Sequence, residues 1–143
     1  GGFITLLYCT LDAVNHRLEW TSAGHPMPLI QDLKTNEVHK LGSKDKGGLP
    51  LVIDEDWEYE KCEIVIPENS RILLYTDGLD EAFPEDGDEE DQFGEDGIIQ
   101  TLKDTIDLPI EDALERLFHD SHEATGGAGR HDDTSVVLLE RRN

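Results

Sequence analysis

Arg71-Ile72-Leu73-Leu74-Tyr75-Thr76-Asp77-Gly78 is the stretch that most narrows the folds open to this chain. Its apolar run, Ile72 to Tyr75, ends just before an acid that is followed at once by glycine. A run this short, closed by a turn signal, reads as a buried strand rather than an exposed one. A carboxylate at the end of such a strand is held by a rigid element, and Gly78 lets the backbone come close to whatever that carboxylate binds. Taken alone, the pattern also describes a strand that simply ends in an Asp-Gly turn. A second stretch, Arg130 to Leu139, reverses the order: Asp132 and Asp133 stand just before a strand expected from Thr134 to about Glu140. Two strands that present carboxylates at their ends make one site for a hard cation.

The remaining composition removes competing functions. The chain has 143 residues, enough for one domain (1–143) with a real core. Its 33 acidic and 12 basic residues give a formal net charge of −21. That charge repels a phosphate backbone, so nucleic acid is not an expected partner. It equally disfavours an anionic membrane surface, and no apolar run approaches the roughly 20 residues of a membrane span. No signal peptide opens the sequence, so a cytoplasmic protein is expected. Cys9 and Cys62 fall in strand-like segments with neither zinc nor redox spacing, and reduced, buried thiols are expected.

Along the chain, Phe3 to Leu11 reads as a buried strand, Arg17 to Ala23 as its hairpin partner, and Pro28–Ile30 and Val38–Leu41 as further strands, so that the first forty residues form an antiparallel meander. Trp57 to Ile66 alternates as a half-buried strand does. Residues 83–97 carry eight acids and three glycines, and like-charge repulsion predicts an acidic flexible flap with Phe93-Gly94 as its apolar anchor. The flap lacks the spacing of an EF-hand, so a calcium-binding module rests on its acids alone. Helices are predicted late: a short one over Ile98–Lys103, and an amphipathic one from Pro109 whose apolar face is Ile110, Ala113, Leu114, Leu117 and Phe118.

Hard cations take carboxylate and water oxygens, and two such ions a few Å apart polarise a phosphoryl group together. Asp77 and Asp132 fit that chemistry. Adjacent residues on an extended backbone point to opposite faces, so Asp132 and Asp133 do not both face an ion comfortably. Five motifs then occur in order: Ala23-Gly24-His25-Pro26, Gly48-Leu49-Pro50-Leu51, Leu73 to Ala82 around Thr76-Asp77-Gly78, Phe93-Gly94, and His131-Asp132-Asp133-Thr134-Ser135. Together they resemble the C-terminal part of the catalytic domain in the SpoIIE/RsbU-like branch of the metal-dependent (PPM-type) serine/threonine protein phosphatases. The resemblance covers essentially the whole chain.

The resemblance implies an α+β fold, an α-β-β-α sandwich of two mostly antiparallel sheets with metals at one edge. It implies Asp77 and Asp132 as catalytic metal ligands, with Asp133 as a further or orienting acid. Gly78, His25 and His131 are candidates to stand behind the ligands, with a hydrogen-bonded turn histidine as the alternative reading of His25. The implied cofactor is Mn²⁺ or Mg²⁺, two ions in an intact domain. The implied reaction is hydrolysis of phosphoserine or phosphothreonine by a metal-activated water attacking in line. The implied partner is a phosphorylated regulator of anti-anti-sigma type, in sigma-factor control. Relatives also carry an upstream acid-bearing strand and an Asp-x-x-Gly-His-Gly-type motif, and neither occurs here. The chain therefore reads as a truncated domain, open on its N-terminal side, with an edge able to pair with a second copy as a homodimer. A non-catalytic regulator-binding module with an incomplete metal site is the alternative reading. His16, His39, His119 and His122 form no constellation.

Overall fold

The computed structural model describes residues 4–42, 47–129 and 132–143. Among these residues, seven strands form two antiparallel sheets. The first sheet has the order β1-β2-β5, from β1 (Leu6–Asp12), β2 (Arg17–Ala23) and β5 (Lys61–Val65). The second has the order β4-β3-β6-β7, from β3 (Leu29–Asp32), β4 (Val38–Lys40), β6 (Ser70–Tyr75) and β7 (Val136–Arg141). Helices α1 (Asp77–Asp80), α2 (Gly94–Asp104) and α3 (Ile110–Glu123) complete the architecture. The chain is α+β with two stacked sheets, as expected.

β6 is the hub. It pairs with β3 on one side and β7 on the other, with Leu73 opposite both Leu29 and Leu138. Its side chains alternate between two cores. Leu73 and Tyr75 join Leu29, Leu79, Ile98, Leu102 and Leu117 beneath the helices. Ile72, with Leu74 partly buried beside it, meets Leu18, Trp20, Cys62 and Ile66 between the sheets. A strand covered on both faces must be apolar throughout, which explains the unbroken Ile72–Tyr75 run. The described helices all lie on the second sheet. The outer face of the first is instead laced by Arg17–Glu63 (2.6 Å) and Lys61–Glu19 (3.3 Å) ion pairs.

The structure corrects several expectations. The first forty residues are not one meander: β1 and β2 belong to one sheet, β3 and β4 to the other. The crossing lies at Gly24-His25-Pro26, where proline withholds a ladder donor. β1 is not buried. Among the described residues it pairs with β2 alone, and Leu6, Tyr8 and Leu11 are exposed. β5 starts only at Lys61, and Trp57 lies outside any strand and is 41% exposed. Cys9 and Cys62 are free thiols, set on opposite sides of Trp20 in the ladder. Two strand spacings of about 4.8 Å exceed disulfide reach. The acidic flap is more structured than repulsion predicts. Its last residues, from Gly94, are the first turn of α2, and Asp88 and Asp91 form a reciprocal capping box around a 3₁₀ turn. Phe93 does anchor it, packing against the helix-side core.

One buried charge has no counterpart in the sequence reading. Arg71, 1% exposed, donates from Nε to Glu140 on β7 (2.9 Å) and to the carbonyls of Thr105 (3.1 Å) and Leu108 (2.5 Å) after α2. Gln31 adds a bond to the Leu102 carbonyl at 2.8 Å. The end of α2 is therefore capped by side chains of the sheet it covers, which satisfies carbonyls that a helix leaves unpaired.

Candidate functional site

At the end of β6 the chain turns directly into α1, so Asp77 is the first residue of a one-turn helix and not a member of a simple Asp-Gly turn. Thr76 is its N-cap in position, yet its hydroxyl does not cap the helix. It accepts instead from the Ser135 amide at 2.9 Å, and the Thr76 amide donates to the Ser135 carbonyl at 3.1 Å. The strand end bearing Asp77 is thereby stitched to the segment that carries Asp132 and Asp133.

Gly78 closes this junction. A Cβ there would stand 2.4 Å from the Asp133 carbonyl oxygen, 2.5 Å from Thr134 Oγ1 and 3.0 Å from the Asp132 carbonyl oxygen. Only a residue without a side chain lets α1 lie against that backbone. The two acidic motifs, 55 positions apart in sequence, thus meet through backbone. Asp132 Oδ1 accepts from the Asp133 amide at 2.8 Å, and both residues are exposed, whereas Asp77 is half-buried.

Asp80, one turn along α1, has a buried Oδ1 without a hydrogen-bond partner. Burial and the neighbouring Asp77 carboxylate push its pKa up to about 6. The same combination, burial first and then the charges of Asp80, Glu95 and Asp77, raises the Tyr75 phenol. Asp80 is therefore not a fully solvated surface acid: at least one of its carboxylate oxygens is shut away from water. Among the described residues no ion pair reaches Asp77, Asp80 or Asp132.

His25 sits in a hydrogen-bonded turn. Its amide donates to Ser22 Oγ (3.3 Å), its carbonyl accepts from the same hydroxyl (3.1 Å), and Nδ1 lies 3.0 Å from the Pro26 carbonyl oxygen. It shares with Thr76 and Ser135 the wall of an open cavity of about 420 Å³ between β1 and the β6–β7 edge, whose floor includes Leu7, Cys9 and Leu74. Burial raises the Cys9 thiol pKa there. The turn around Gly24 explains why two glycine motifs belong together: Gly24 has φ +65°, and a Cβ on it would meet Pro50 at 2.7 Å. His131 lies outside the described residues.

The donor set offered by Asp77, Asp132 and the orphaned Asp80 oxygen is all oxygen, which suits a hard cation and not zinc or copper. Among the described residues no three His, Cys, Asp or Glu side chains converge on a point. Donors of this kind would hold a cation that keeps several waters, and the described residues do not by themselves supply the ligands of a two-ion centre.

Two stacked antiparallel sheets with helices match the fold of solved PP2C phosphatase domains. The chain superposes on the SiaA-PP2C domain of Pseudomonas aeruginosa with a TM-score of 0.73 at 22% identity, over 95% of this chain and 51% of that one. It superposes on the phosphatase domain of SpoIIE from Bacillus subtilis (Mn presoaked) with a TM-score of 0.69 at 14% identity, over 96% and 56%. Residues 1–142 match the family model described as stage II sporulation protein E (SpoIIE), and the chain belongs to that family. It is 27% identical over 138 residues to the phosphoserine phosphatase RsbP of Bacillus subtilis (strain 168), covering 96% of this chain but 31% of RsbP. The chain thus spans about a third of the length of that relative. Among the described residues no helix is long and apolar enough to cross a membrane.

Proposed function

We propose that the protein carrying this chain is a metal-dependent phosphatase acting on phosphoserine or phosphothreonine of a regulatory protein, of the anti-anti-sigma type. Residues 1–143 are one portion of its catalytic domain. The observation that carries this reading is the backbone junction at Gly78, which brings the Asp77 and Asp132–Asp133 motifs together. Asp77 and Asp132 hold Mn²⁺ or Mg²⁺. Asp133 orients the segment through its amide bond to Asp132. A cation bound there supplies Lewis acidity toward phosphoryl oxygens and toward water. Among the described residues no ion pair engages Asp77 or Asp132, which leaves these carboxylates free to pair with metal. The metal and the substrate class are supported by the manganese-presoaked SpoIIE phosphatase domain that the chain resembles and by its similarity to the phosphoserine phosphatase RsbP.

One observation favours a second reading, a module that binds a regulator without turning it over: among the described residues the acids do not reach three at one point. The two are separated by hydrolysis of p-nitrophenyl phosphate with and without Mn²⁺, in the full-length protein and in residues 1–143 alone. Metal-dependent turnover is expected in the full-length protein. Asp77→Asn should lower it by more than the roughly 10–100-fold typical of changes behind the ligands. The isolated chain should turn over far more slowly. Turnover unaffected by Asp77→Asn would remove the ligand assignment. Metal-independent binding of a phosphorylated regulator, unchanged by Asp77→Asn and without any turnover, would establish the binding module.

A further inference from the structure

We propose that Ser121, in the interior of α3, is a positioning residue for Asp77. The inference rests on the reading of Asp77 as a cation ligand. Helix α1 has four residues, and a single turn does not sustain itself, because nucleation costs more than one turn returns. Nor does Thr76 cap it, since that hydroxyl is committed to Ser135. The helix is therefore placed by ties from outside. Two of them, both between Thr76 and Ser135, fix its start to the Asp132–Asp133 segment. The third fixes its other end: Ser121 Oγ donates to the Leu79 carbonyl oxygen at 3.0 Å.

That third bond has the character of a locating contact. Ser121 and Leu79 are both 0% exposed, so water has no access to replace the bond if it is lost. A serine inside a helix commonly turns its hydroxyl back to the carbonyl four residues earlier. Ser121 instead reaches across to a different helix, 42 positions away in sequence. Without it, the Leu79 end of α1 keeps its apolar packing in the helix-side core but loses its directional tie to α3, and the Asp77 carboxylate at the other end of the turn is positioned less closely.

The test compares full-length wild type with Ser121→Ala, Ser121→Cys, Asp77→Asn and Thr105→Val. Mn²⁺ affinity is measured by calorimetry and stability by thermal melting. Thr105 is also 0% exposed, and its hydroxyl bonds the Thr101 carbonyl at 2.7 Å within α2. Its variant reports the cost of losing a buried hydroxyl that does not touch α1. Expected are a roughly tenfold weaker Mn²⁺ affinity in Ser121→Ala and an intermediate loss in Ser121→Cys, whose thiol is a poorer donor. Thr105→Val should melt earlier yet bind Mn²⁺ as wild type does. Affinity lost in Asp77→Asn but unchanged in Ser121→Ala overturns this inference alone. Equal weakening in Ser121→Ala and Thr105→Val also overturns it, because the effect is then general loosening. Affinity unchanged in Asp77→Asn as well overturns it together with the ligand assignment.

Discussion

Arg71→Ala is expected to be the most destabilising single substitution in the described core, lowering stability by about 3–5 kcal/mol, the range for breaking one half of a buried ion pair. The loss has three parts. Glu140, whose side chain is 14% exposed, keeps its charge without its buried partner. The carbonyls of Thr105 and Leu108 lose their donors in a place water barely reaches. A cavity replaces a long side chain between β6, β7 and the end of α2. For a chain of this size the melting temperature should fall on the order of 15 °C. The pair also carries a pH signature. Burial alone would raise the Glu140 pKa, but hydrogen bonds from Arg71 and Arg142 outweigh it and leave the group below the ordinary glutamate value of 4.5. A carboxylate depressed in the folded state contributes stability that is fully present above its unfolded pKa and is lost as pH falls through the folded one. Wild type should therefore lose stability from about pH 4.5 downward, and Arg71→Ala should flatten that slope. Melting curves at pH 7 and pH 3.5 measure both effects. A wild-type-like melting point in Arg71→Ala would mean that the network holds α2 to the sheet no better than packing alone does.

The same residue shows where sequence reasoning stops. The Ile72–Tyr75 run announced a buried central strand because every position on a doubly covered strand must be apolar. Arg71, at the start of that strand, carries no signal of burial in its neighbouring residues. Its partners are a glutamate 69 positions away and two carbonyls of a helix end, and no local pattern encodes such a meeting. Asp77 and Asp132 were legible for the opposite reason: each interrupts or precedes a strong apolar run, so its place at a strand end follows from local pattern. That Asp77 opens a helix was not legible. Thr76-Asp77-Gly78 is turn chemistry by composition, and the one-turn helix exists only through ties to Ser135 and Ser121. Ser121 itself occupies an ordinary polar position on an amphipathic helix, where only the structure shows that it is buried.

Strand edges were misjudged by the same physics. Phe3 to Leu11 is as apolar as a core strand, but apolarity does not say how many neighbours a strand has. With β2 alone beside it, β1 leaves Tyr8 65% exposed and opens the cavity against β6 and β7. In the acidic segment, local geometry works against the charge count. Counting like charges predicts repulsion, whereas Asp88 and Asp91 each accept a backbone amide of the other's turn and so stabilise the fold locally.

Gly78→Ala is expected to do the converse of Arg71→Ala: modest damage to the fold and severe damage to the site. The added Cβ would lie 2.4 Å from the Asp133 carbonyl oxygen and 3.0 Å from that of Asp132. Thr134 Oγ1, at 2.5 Å, can rotate away, but two backbone carbonyls cannot. Either α1 lifts or the Asp132–Asp133 segment retreats. The strain is steric, since Gly78 is not among the glycines with positive φ. Overpacking of this kind costs about 1–3 kcal/mol, which leaves the two cores, neither of which includes Gly78, intact. The separation of Asp77 from Asp132 nevertheless changes by whatever distance relieves the clash, and a displacement of about 1 Å in a reacting centre is enough for on the order of a 100-fold loss. Metal-dependent hydrolysis in the full-length variant should fall by about that factor while the protein remains folded by circular dichroism. Arg71→Ala assayed below its melting point should keep most of its activity per folded molecule. If Gly78→Ala retained wild-type turnover and Mn²⁺ affinity, the contact of α1 with the Asp132–Asp133 backbone would not set the position of the carboxylates. The observation on which the phosphatase reading leans most would then lose its force.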